Sequence, residues 1–254
     1  MRRYWIENQD RQGSQVIFRG DIHHHIFDVC RQDVGSKFEV LSDDGKAALV
    51  EVIRVDKKSA EARVLEERVV APLKNPLIHL VLCVPRFNVM DAVLEKAVEL
   101  GVKSVQPVFS EFSFVRSQSS LSENKTDRWE KIIRSATQQS GRGERMELKK
   151  TVTLDEILKS FNRQGPSAGL FAYEGPSTLG VREELLRIKS ANPQGLPEIS
   201  LFIGAEGGFS YQEVSRFSDL GLKPVTLGQQ ILRVETACMA LVSALKYEFD
   251  LMSS

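Results

Sequence analysis

The stretch LFIGAEGGFS, residues 201–210, decides how the chain is interpreted. An apolar strand runs into a glycine-rich turn and then into a helix, at whose start Ser210 and Glu213 predict a capping box. Glycines at the carboxyl end of a parallel strand let backbone amides approach a ligand, and a helix N-terminus favours negative charge. The spacing matches neither a dinucleotide-binding fingerprint nor a P-loop, and Glu206 disfavours a phosphate in the turn. We expect a ligand site here. The alternative is that the turn is only a tight connection between strand and helix whose backbone conformation requires glycine.

A second loop, LGQQILRVETA at residues 227–237, again joins a strand to a helix. Glu235 and Thr236 fall in the first turn of the last helix, predicted over 235–249, where an acid suits the dipole and a hydroxyl can cap. Residues 237–245 are apolar nearly all round, so they must be covered by their own core or by a second subunit. We favour a homodimer, because the helix is terminal and its small residues allow close approach.

Outward from these loops, strands alternate with helices, which predicts an α/β domain with a mostly parallel sheet. The predicted strands are 77–84, 102–109, 168–173, 199–204 and 224–227, and the other predicted helices are 88–100, 126–139, 181–188 and 211–220.

Residues 1–70 are β-rich, with predicted strands 36–41, 47–55 and 60–70 and a hairpin signal at Asp43-Asp44-Gly45. A short helix is predicted within 21–31. Two prolines without periodicity mark a linker at 71–76. We therefore predict a small β-barrel or meander at 1–70 and an α/β domain at 77–254.

Composition restricts the function classes. The 254 residues carry 34 basic and 34 acidic side chains, so the net charge does not indicate a nucleic-acid partner, although a local basic face is compatible with it.

Three cysteines without paired spacing argue against a disulfide framework or zinc ribbon and favour a reducing cytosol. We find no apolar run near the ~18 residues of a membrane span and no apolar segment behind the basic N-terminus. The adjacent histidines 23–25 lack metal-ligand spacing. We expect a cytoplasmic protein that needs neither metal nor membrane.

Together the two loops resemble the signatures Ile-Gly-Pro-Glu-Gly-Gly-Phe-Ser and Leu-Gly-x-Arg-Ile-Leu-Arg-x-Glu-Thr-Ala of the bacterial 16S rRNA (uracil-N3)-methyltransferases, in the SPOUT superfamily. The stretches 24–31, 95–102 and 139–142 are also similar, so the resemblance spans most of the chain. Ala205 and Gln230 depart from the proline and arginine of those signatures. Neither departure changes the glycines or the Leu-Arg-x-Glu-Thr core.

This resemblance implies a trefoil-knotted methyltransferase domain preceded by a PUA-like β-barrel that binds RNA. It implies that the protein acts as a homodimer and that its substrate is the 16S rRNA of the small ribosomal subunit. It also implies S-adenosylmethionine as cofactor, bound in a bent form. The implied cofactor contacts are Ile203, Gly204, Glu206, Gly207, Gly208, Leu227, Gly228, Ile231 and Leu232. Arg233 is the candidate for stabilising a deprotonated uracil, and Glu206 and Glu235 are both candidates for the base. A non-catalytic ribosome-assembly factor with the same fold is the alternative function.

Six residues are candidate RNA contacts: Arg2, Arg3, His24, His25, Arg31 and Arg142. The histidine segment and Arg31 suggest an RNA-facing surface, and a merely solvated turn is the alternative. Tyr4 and Trp5 beside the N-terminal arginines could stack on bases, or could pack inside an N-terminal strand. For Arg142, next to Gly141, the alternative is a solvated helix face.

Overall fold

The computed structural model describes residues 2–161, 167–176 and 178–253, grouped into two compact units. The first unit contains Met1–Pro72 and Arg134–Arg145, and the second contains Leu73–Ile133 and Met146–Ser254. The division after Pro72 falls inside the predicted linker. Residues 134–145, which lie within the predicted α/β domain, group with the first unit.

The first unit contains six strands and one short helix. In chain order these are β1 (Arg3–Trp5), β2 (Arg11–Gln12), β3 (Gln15–Arg19), α1 (Gly20–His23, continued by a π-helical turn His24–Val29), β4 (Lys37–Leu41), β5 (Lys46–Val55) and β6 (Ser59–Val69). The strands form one sheet in the order β1-β4-β5-β6-β3-β2. The three predicted strands and the short helix are confirmed with small shifts at their ends.

The hairpin between β4 and β5 forms where the Asp-Asp-Gly signal predicted it. The Ser42 hydroxyl donates to Asp44 Oδ1 at 2.7 Å, and Gly45 has a φ of +72°, a left-handed conformation that glycine adopts without strain. Register pairs Leu41 with Ala47 across the turn. The local turn chemistry therefore sets the alternation that buries Phe38 and Val40 in the core of this unit.

The N-terminal aromatics belong to this core. β1 pairs in parallel with β4, matching Tyr4 with Val40. Tyr4 and Trp5 are only 3% and 1% exposed, and the Tyr4 ring packs edge-on against Phe38 at 4.9 Å. These two side chains are therefore packed in a strand, which was the alternative to stacking on bases.

Glu39 gives this unit a predicted acid sensitivity. Hydrogen bonds from the guanidinium of Arg3, at 2.8 Å, and then from Arg68 hold the pKa of Glu39 below its usual value. Since the folded-state pKa is lowered, this stabilisation is present above the unfolded pKa and is lost as pH falls through the folded one. Glu39→Gln should therefore lower stability at neutral pH and flatten its loss between about pH 5 and pH 3. Urea unfolding across that range checks this. The exposed Glu66→Gln on β6 is the control, and a Glu39→Gln curve parallel to wild type would contradict the prediction.

The second unit alternates strands and helices. In chain order these are β7 (Leu77–Cys83), α2 (Phe87–Glu99), β8 (Ser104–Phe109), α3 (Glu123–Ser140, shared with the first unit), β9 (Glu147–Leu148), β10 (Val152–Thr153), α4 (Leu154–Ser160), β11 (Ser167–Ala172), β12 (Leu179–Gly180), α5 (Val181–Ala191), β13 (Glu198–Ile203), α6 (Tyr211–Asp219), β14 (Lys223–Thr226) and α7 (Val234–Glu248). All the predicted strands and helices are present. The helix α4 and the two-residue strands were not predicted, because such short segments show no clear periodicity.

The sheet of this unit is parallel in every described pair, as predicted, with the order β10-β8-β7-β13-β11-β14-β12 and β9 beside β8. Two late strands lie between earlier ones: β13 between β7 and β11, and β14 between β11 and β12. An ordinary doubly wound sheet instead adds its later strands at an edge. Because only β11 separates β13 from β14, the segments that follow these strands meet at one edge of the sheet.

The last helix is covered on one side by its own unit. α7 packs against α2, α5 and β13 and buries Leu241, Val242 and Leu245 completely or nearly so. Its apolar character is therefore explained in large part by the core of this unit, which was the alternative to a dimer seam.

Candidate functional site

The glycine-rich turn after β13 is tightly closed. The Gly208 amide donates to the Ala205 carbonyl at 2.9 Å, and Gly208 has a φ of +69°. A Cβ on Gly204 would lie 2.7 Å from the backbone carbon of Gly208, a distance that real Cβ atoms do not show. The turn therefore requires glycine at 204 for space and at 208 for conformation.

Aromatic packing fixes the turn from below. Phe209 is 6% exposed, and its ring lies 4.9 Å from the Phe217 ring, which stacks on Phe171 at 4.5 Å. The residue that follows the last glycine is thus anchored in the core of the second unit, so the turn is held in one conformation.

The predicted capping box at the start of α6 is confirmed, and it does more than cap. The Ser210 amide donates to Glu213 Oε2 at 2.8 Å, and the Glu111 amide, after β8, donates to Glu213 Oε1 at 2.9 Å. The Glu213 carboxylate is 5% exposed. A single buried side chain therefore holds the glycine turn and the segment after β8 together.

Glu206 lies exposed at the tip of the turn, with its Oε1 accepting a hydrogen bond from the Arg86 amide at 3.0 Å. Arg86 is the residue immediately before α2. This candidate base is thus already engaged in tying the turn to the start of that helix.

The second loop is shaped by Thr226 and Gly228. The Thr226 hydroxyl donates to the Gly228 carbonyl at 2.8 Å and also lies 3.2 Å from the Gly228 amide. Gly228 has a φ of +131°, which side chains rarely tolerate. The chain then passes through residues 229–232 to Arg233, which is the N-cap of α7.

The start of α7 differs from the prediction. The helix begins at Val234, one residue early, and the Arg233 carbonyl accepts from the Ala237 amide at 2.8 Å. Thr236 is exposed within the first turn, and Arg233 makes no side-chain cap. The predicted hydroxyl cap is therefore wrong, because the helix starts too early for residue 236 to be its N-cap.

A cavity of about 540 Å³ lies at this edge of the sheet, within the second unit. Most of the predicted cofactor and catalytic residues line it: Ile203, Gly204, Glu206, Gly208, Leu227, Gly228, Ile231, Leu232, Arg233 and Glu235. Gly207 does not line it, since the Cβ position of Gly207 faces the Phe112 side chain at 2.8 Å. The two loops that we singled out from the sequence thus share one cavity.

Two further segments line the cavity and were not predicted. The first is the carboxyl end of β11 with the two residues after it, and the second is the start of α2 with the residue before it: Ala172, Tyr173, Glu174, Arg86, Asn88 and Val89. The Cβ position of Gly208 lies 3.2 Å from Glu174 Oε1. β11 lies between β13 and β14, so its carboxyl end must border the site, but the sequence carries no signal for that strand order.

The cavity suits a small organic ligand. Its volume lies in the range of cofactor pockets. The charged side chains at its wall are few, with Arg233 exposed and Glu235 half-buried at the start of α7.

The candidate RNA contacts Arg2, Arg3 and His24 have polar partners in the first unit. Arg2 Nη1 donates to the Cys30 carbonyl at 2.9 Å, Arg3 pairs with Glu39, and His24 Nδ1 lies 2.6 Å from Asp28 Oδ2. Arg2 and His24 remain exposed, whereas Arg3 is half-buried.

The other three candidates differ in exposure. His25 is exposed with its ring 5.9 Å from that of Tyr4, and Arg31 is exposed with a φ of +54°. Arg142 is only 9% exposed, and burial lowers the pKa of its guanidinium to about 10. The structure therefore does not place Arg142 on a surface, since the turn that carries it is packed within its unit.

Two of the three cysteines, Cys83 and Cys238, are buried thiols. All three are free thiols, and burial raises the pKa of Cys83 to about 12 and that of Cys238 still further. Within residues 2–161, 167–176 and 178–253, no group of three or more His, Cys, Asp or Glu side chains is arranged to hold a metal ion. Among the helices of the same described residues, none has the length and apolar character to cross a membrane.

Comparison with known proteins agrees with this arrangement. Residues 73–246 match the model of an RNA methyltransferase domain, and residues 18–65 match that of an RNA methyltransferase PUA domain. The predicted fold class, an α/β methyltransferase domain of SPOUT type after a PUA-like domain, is confirmed. The trefoil knot itself stays an implication of the resemblance.

Several relatives that align over nearly the whole chain are ribosomal RNA small subunit methyltransferases. The chain is 31% identical to ribosomal RNA small subunit methyltransferase E of Aquifex aeolicus, over 94% of this chain and 96% of the relative. It is 29% identical to the protein of that name from Bacillus subtilis, over 99% and 98%. The crystal structure of the Neisseria gonorrhoeae enzyme, bound to S-adenosylmethionine, is 28% identical with a TM-score of 0.82, covering 97% of each chain. The chain belongs to the ribosomal RNA small subunit methyltransferase E family.

Proposed function

We propose that this protein transfers a methyl group from S-adenosylmethionine to N3 of one uridine in the 16S rRNA of the small ribosomal subunit. The cavity carries the proposal, because the two loops whose sequences resemble the family signatures line it together. The relatives are named for methylation of small-subunit rRNA, and the Neisseria structure holds the cofactor.

The residues present fit this cofactor. The volume of about 540 Å³ suits a nucleoside-sized molecule, and residues of both loops line it, among them Gly204, Gly208 and Gly228. Gly228 and Gly208 bring main chain to the wall in conformations that side chains disfavour. These backbone groups would hold the adenine, the ribose and the methionine part. When bound, S-adenosylmethionine supplies a methyl group on a positively charged sulfur.

The remaining chemistry falls to the side chains at the cavity wall. Neutral uracil N3 is a poor nucleophile, so its proton must leave and the negative charge must be stabilised. Arg233 stands at the N-cap of α7, where its guanidinium can donate hydrogen bonds to a uracil carbonyl oxygen as the charge develops. The protein's other task is to align the ring with the methyl group.

For the base, we favour Glu235 over Glu206. Glu206 already accepts the Arg86 amide and serves to hold the turn. Glu235 lines the cavity in the first turn of α7, two residues after Arg233, where a carboxylate suits the helix N-terminus. Its carboxylate would accept the N3 proton.

The test is methylation of small ribosomal subunits that lack the modification. With labelled S-adenosylmethionine, the purified protein should place one methyl group per 16S rRNA, and mass mapping should find it on N3 of a uridine. Saturating cofactor, at ~100 Kd, should also stabilise the protein by about 2.7 kcal/mol. Binding of RNA without cofactor-dependent stabilisation or methylation would instead indicate a non-catalytic assembly factor.

We further propose that the protein acts as a homodimer in the cytoplasm, with the PUA-like unit contributing RNA contacts through Arg2, His24, His25 and Arg31. α7 leaves one stripe at helical spacing incompletely covered, formed by Thr236, Ala240, Ser243 and Tyr247. Tyr247 is 77% exposed and Ile231, just before the helix, is 81% exposed. A second copy would cover this stripe.

Ser243→Glu should therefore give monomers, because an unpaired carboxylate in an interface costs several kcal/mol. Light scattering measures the mass. Leu186→Glu on α5, at a site 41% exposed, is the control that should leave the mass unchanged. Leu241 is unsuitable for this test, since it is fully buried against its own chain. A Ser243→Glu protein that is folded and still dimeric would remove α7 from the interface.

A further inference from the structure

Next to the cavity, the second unit exposes aromatic side chains that the proposed chemistry does not use. Phe112 and Phe114 are 40% and 53% exposed, and the Phe114 ring meets the half-buried Phe87 ring edge-on at 5.4 Å. We call these three residues the aromatic platform. They come from two separate segments, one after β8 and one at the start of α2.

The platform is held rigidly. The Phe114 amide donates to the Val84 carbonyl at 2.8 Å, and the Glu111 amide donates to the buried Glu213 carboxylate at 2.9 Å. Ser110 and Ser113 join their hydroxyls at 2.8 Å beneath the segment. The exposed rings are thus presented by a backbone fixed at several points, so binding would cost little ordering entropy.

The platform also adjoins the candidate active site. The Phe112 Cβ lies 2.8 Å from the Cβ position of Gly207, the residue between the cavity-lining Glu206 and Gly208. Arg86, which precedes Phe87, lines the cavity itself. A nucleotide next to the one being methylated would therefore come within reach of these rings.

One cation lies against the Phe87 ring, and two others are exposed on the segments that carry the platform. Lys125 Nζ lies 4.7 Å from the centre of the Phe87 ring, and Arg86 and Arg116 are exposed on the two segments. The nearby carboxylates are Glu206, which accepts the Arg86 amide, and the exposed Glu111. Aromatic faces interleaved with arginine and lysine are the arrangement that binds unstacked bases and their phosphates.

We infer that the aromatic platform is a base-stacking subsite, on which Phe112 and Phe114 bind an unpaired base that flanks the target nucleotide of the RNA. This inference rests on the proposed function. It adds a contact for the substrate in the methyltransferase unit, separate from the PUA-like unit. The flanking base stacks on the rings, and Arg86 and Arg116 bind the phosphates on either side of its nucleotide.

The experiment compares Phe112→Ala, Phe114→Ala, Phe112→Tyr and Phe114→Leu with wild type. Stacking predicts that each alanine variant binds a fluorescein-labelled single-stranded RNA of about twelve nucleotides about tenfold more weakly. In methylation of small subunits, KM for the subunit should rise while the cofactor Kd stays unchanged. Phe112→Tyr should behave as wild type, because it keeps the aromatic face. Phe114→Leu keeps apolar bulk without that face and should resemble Phe114→Ala.

Several results would overturn the inference. Alanine variants with wild-type RNA affinity and KM would do so, as would a Phe114→Leu protein as active as wild type. A change of molecular mass in light scattering would show that the platform is a protein interface instead. Leu186→Ala, an exposed apolar residue on α5, is the control. A wild-type protein that binds cofactor but methylates no rRNA would contradict the proposed function, whereas wild-type methylation with insensitive phenylalanines contradicts only the stacking subsite.

Discussion

Gly204→Ala is expected to abolish S-adenosylmethionine binding. The added Cβ would lie 2.7–2.8 Å from the Cα, carbonyl carbon and carbonyl oxygen of Gly208, and a backbone cannot yield as a flexible side chain does. The turn would have to open, and the main chain that lines the cavity would move with it. Calorimetry should detect no binding at concentrations that saturate wild type.

Two matched variants make this result interpretable. Gly180→Ala places the same methyl group at a glycine with a φ of −63° and no atom within 4 Å, so cofactor affinity should be unchanged. Gly208→Ala meets only the Glu174 side chain, whose Oε1 lies 3.2 Å from the added Cβ and can move, but it forces a side chain into a left-handed conformation, which costs ~1–2 kcal/mol. It should therefore weaken binding less than Gly204→Ala. A folded Gly204→Ala protein with normal affinity would remove the turn from the cofactor site.

Arg233→Ala is expected to lower kcat by a factor on the order of 10²–10³ while leaving the cofactor Kd nearly intact. Its guanidinium would interact most strongly with the deprotonated uracil. Removing the side chain should therefore raise the free energy of the transition state more than that of the bound substrate. Arg233→Lys should recover little, because an ammonium does not reproduce the planar pair of donors. Single-turnover methylation of small subunits and cofactor calorimetry on the same preparation give the two numbers.

The competing structural role of Arg233 predicts a different pattern. If the side chain only fixes the loop before α7, its removal should weaken cofactor binding and lower the melting temperature together. Lys223→Ala is the control, since Lys223 is an exposed cation on the neighbouring strand β14 that does not line the cavity. A defect that saturating cofactor restores in full would exclude Arg233 from the chemical step.

Periodicity and turn chemistry predicted the longer elements. The alternation before Asp43-Asp44-Gly45 and the apolar run of β7 are local signals, and the Ser210–Glu213 box is encoded within four residues. The loops at 203–208 and 227–233 were recognised because each places glycine between a strand and a helix.

The rest of the site depends on strand order, which no local pattern contains. Tyr173 and Glu174 reach the cavity because β11 lies between β13 and β14, and Phe112 reaches Gly207 because Glu213 binds the segment after β8. The burial of individual side chains was also not predictable from the sequence. Arg142 looked like an exposed cation in the sequence, whereas the packing of its turn, known only in three dimensions, encloses it.

The order of strands in the sheet of the second unit has a consequence for when, during synthesis, the protein becomes able to bind its cofactor. β13 pairs Glu198 with Leu77, and β14 must take its place beside β11 only after β12 and α5 have been made. Both loops of the cavity therefore follow strands whose pairing partners β7 and β11 are made earlier, and contacts of long sequence separation form slowly. A nascent chain that stops after β13 contains the glycine-rich turn only in part and lacks β14 and the second loop. Affinity for the cofactor thus reports completed folding, and ligand present during translation would stabilise only finished molecules.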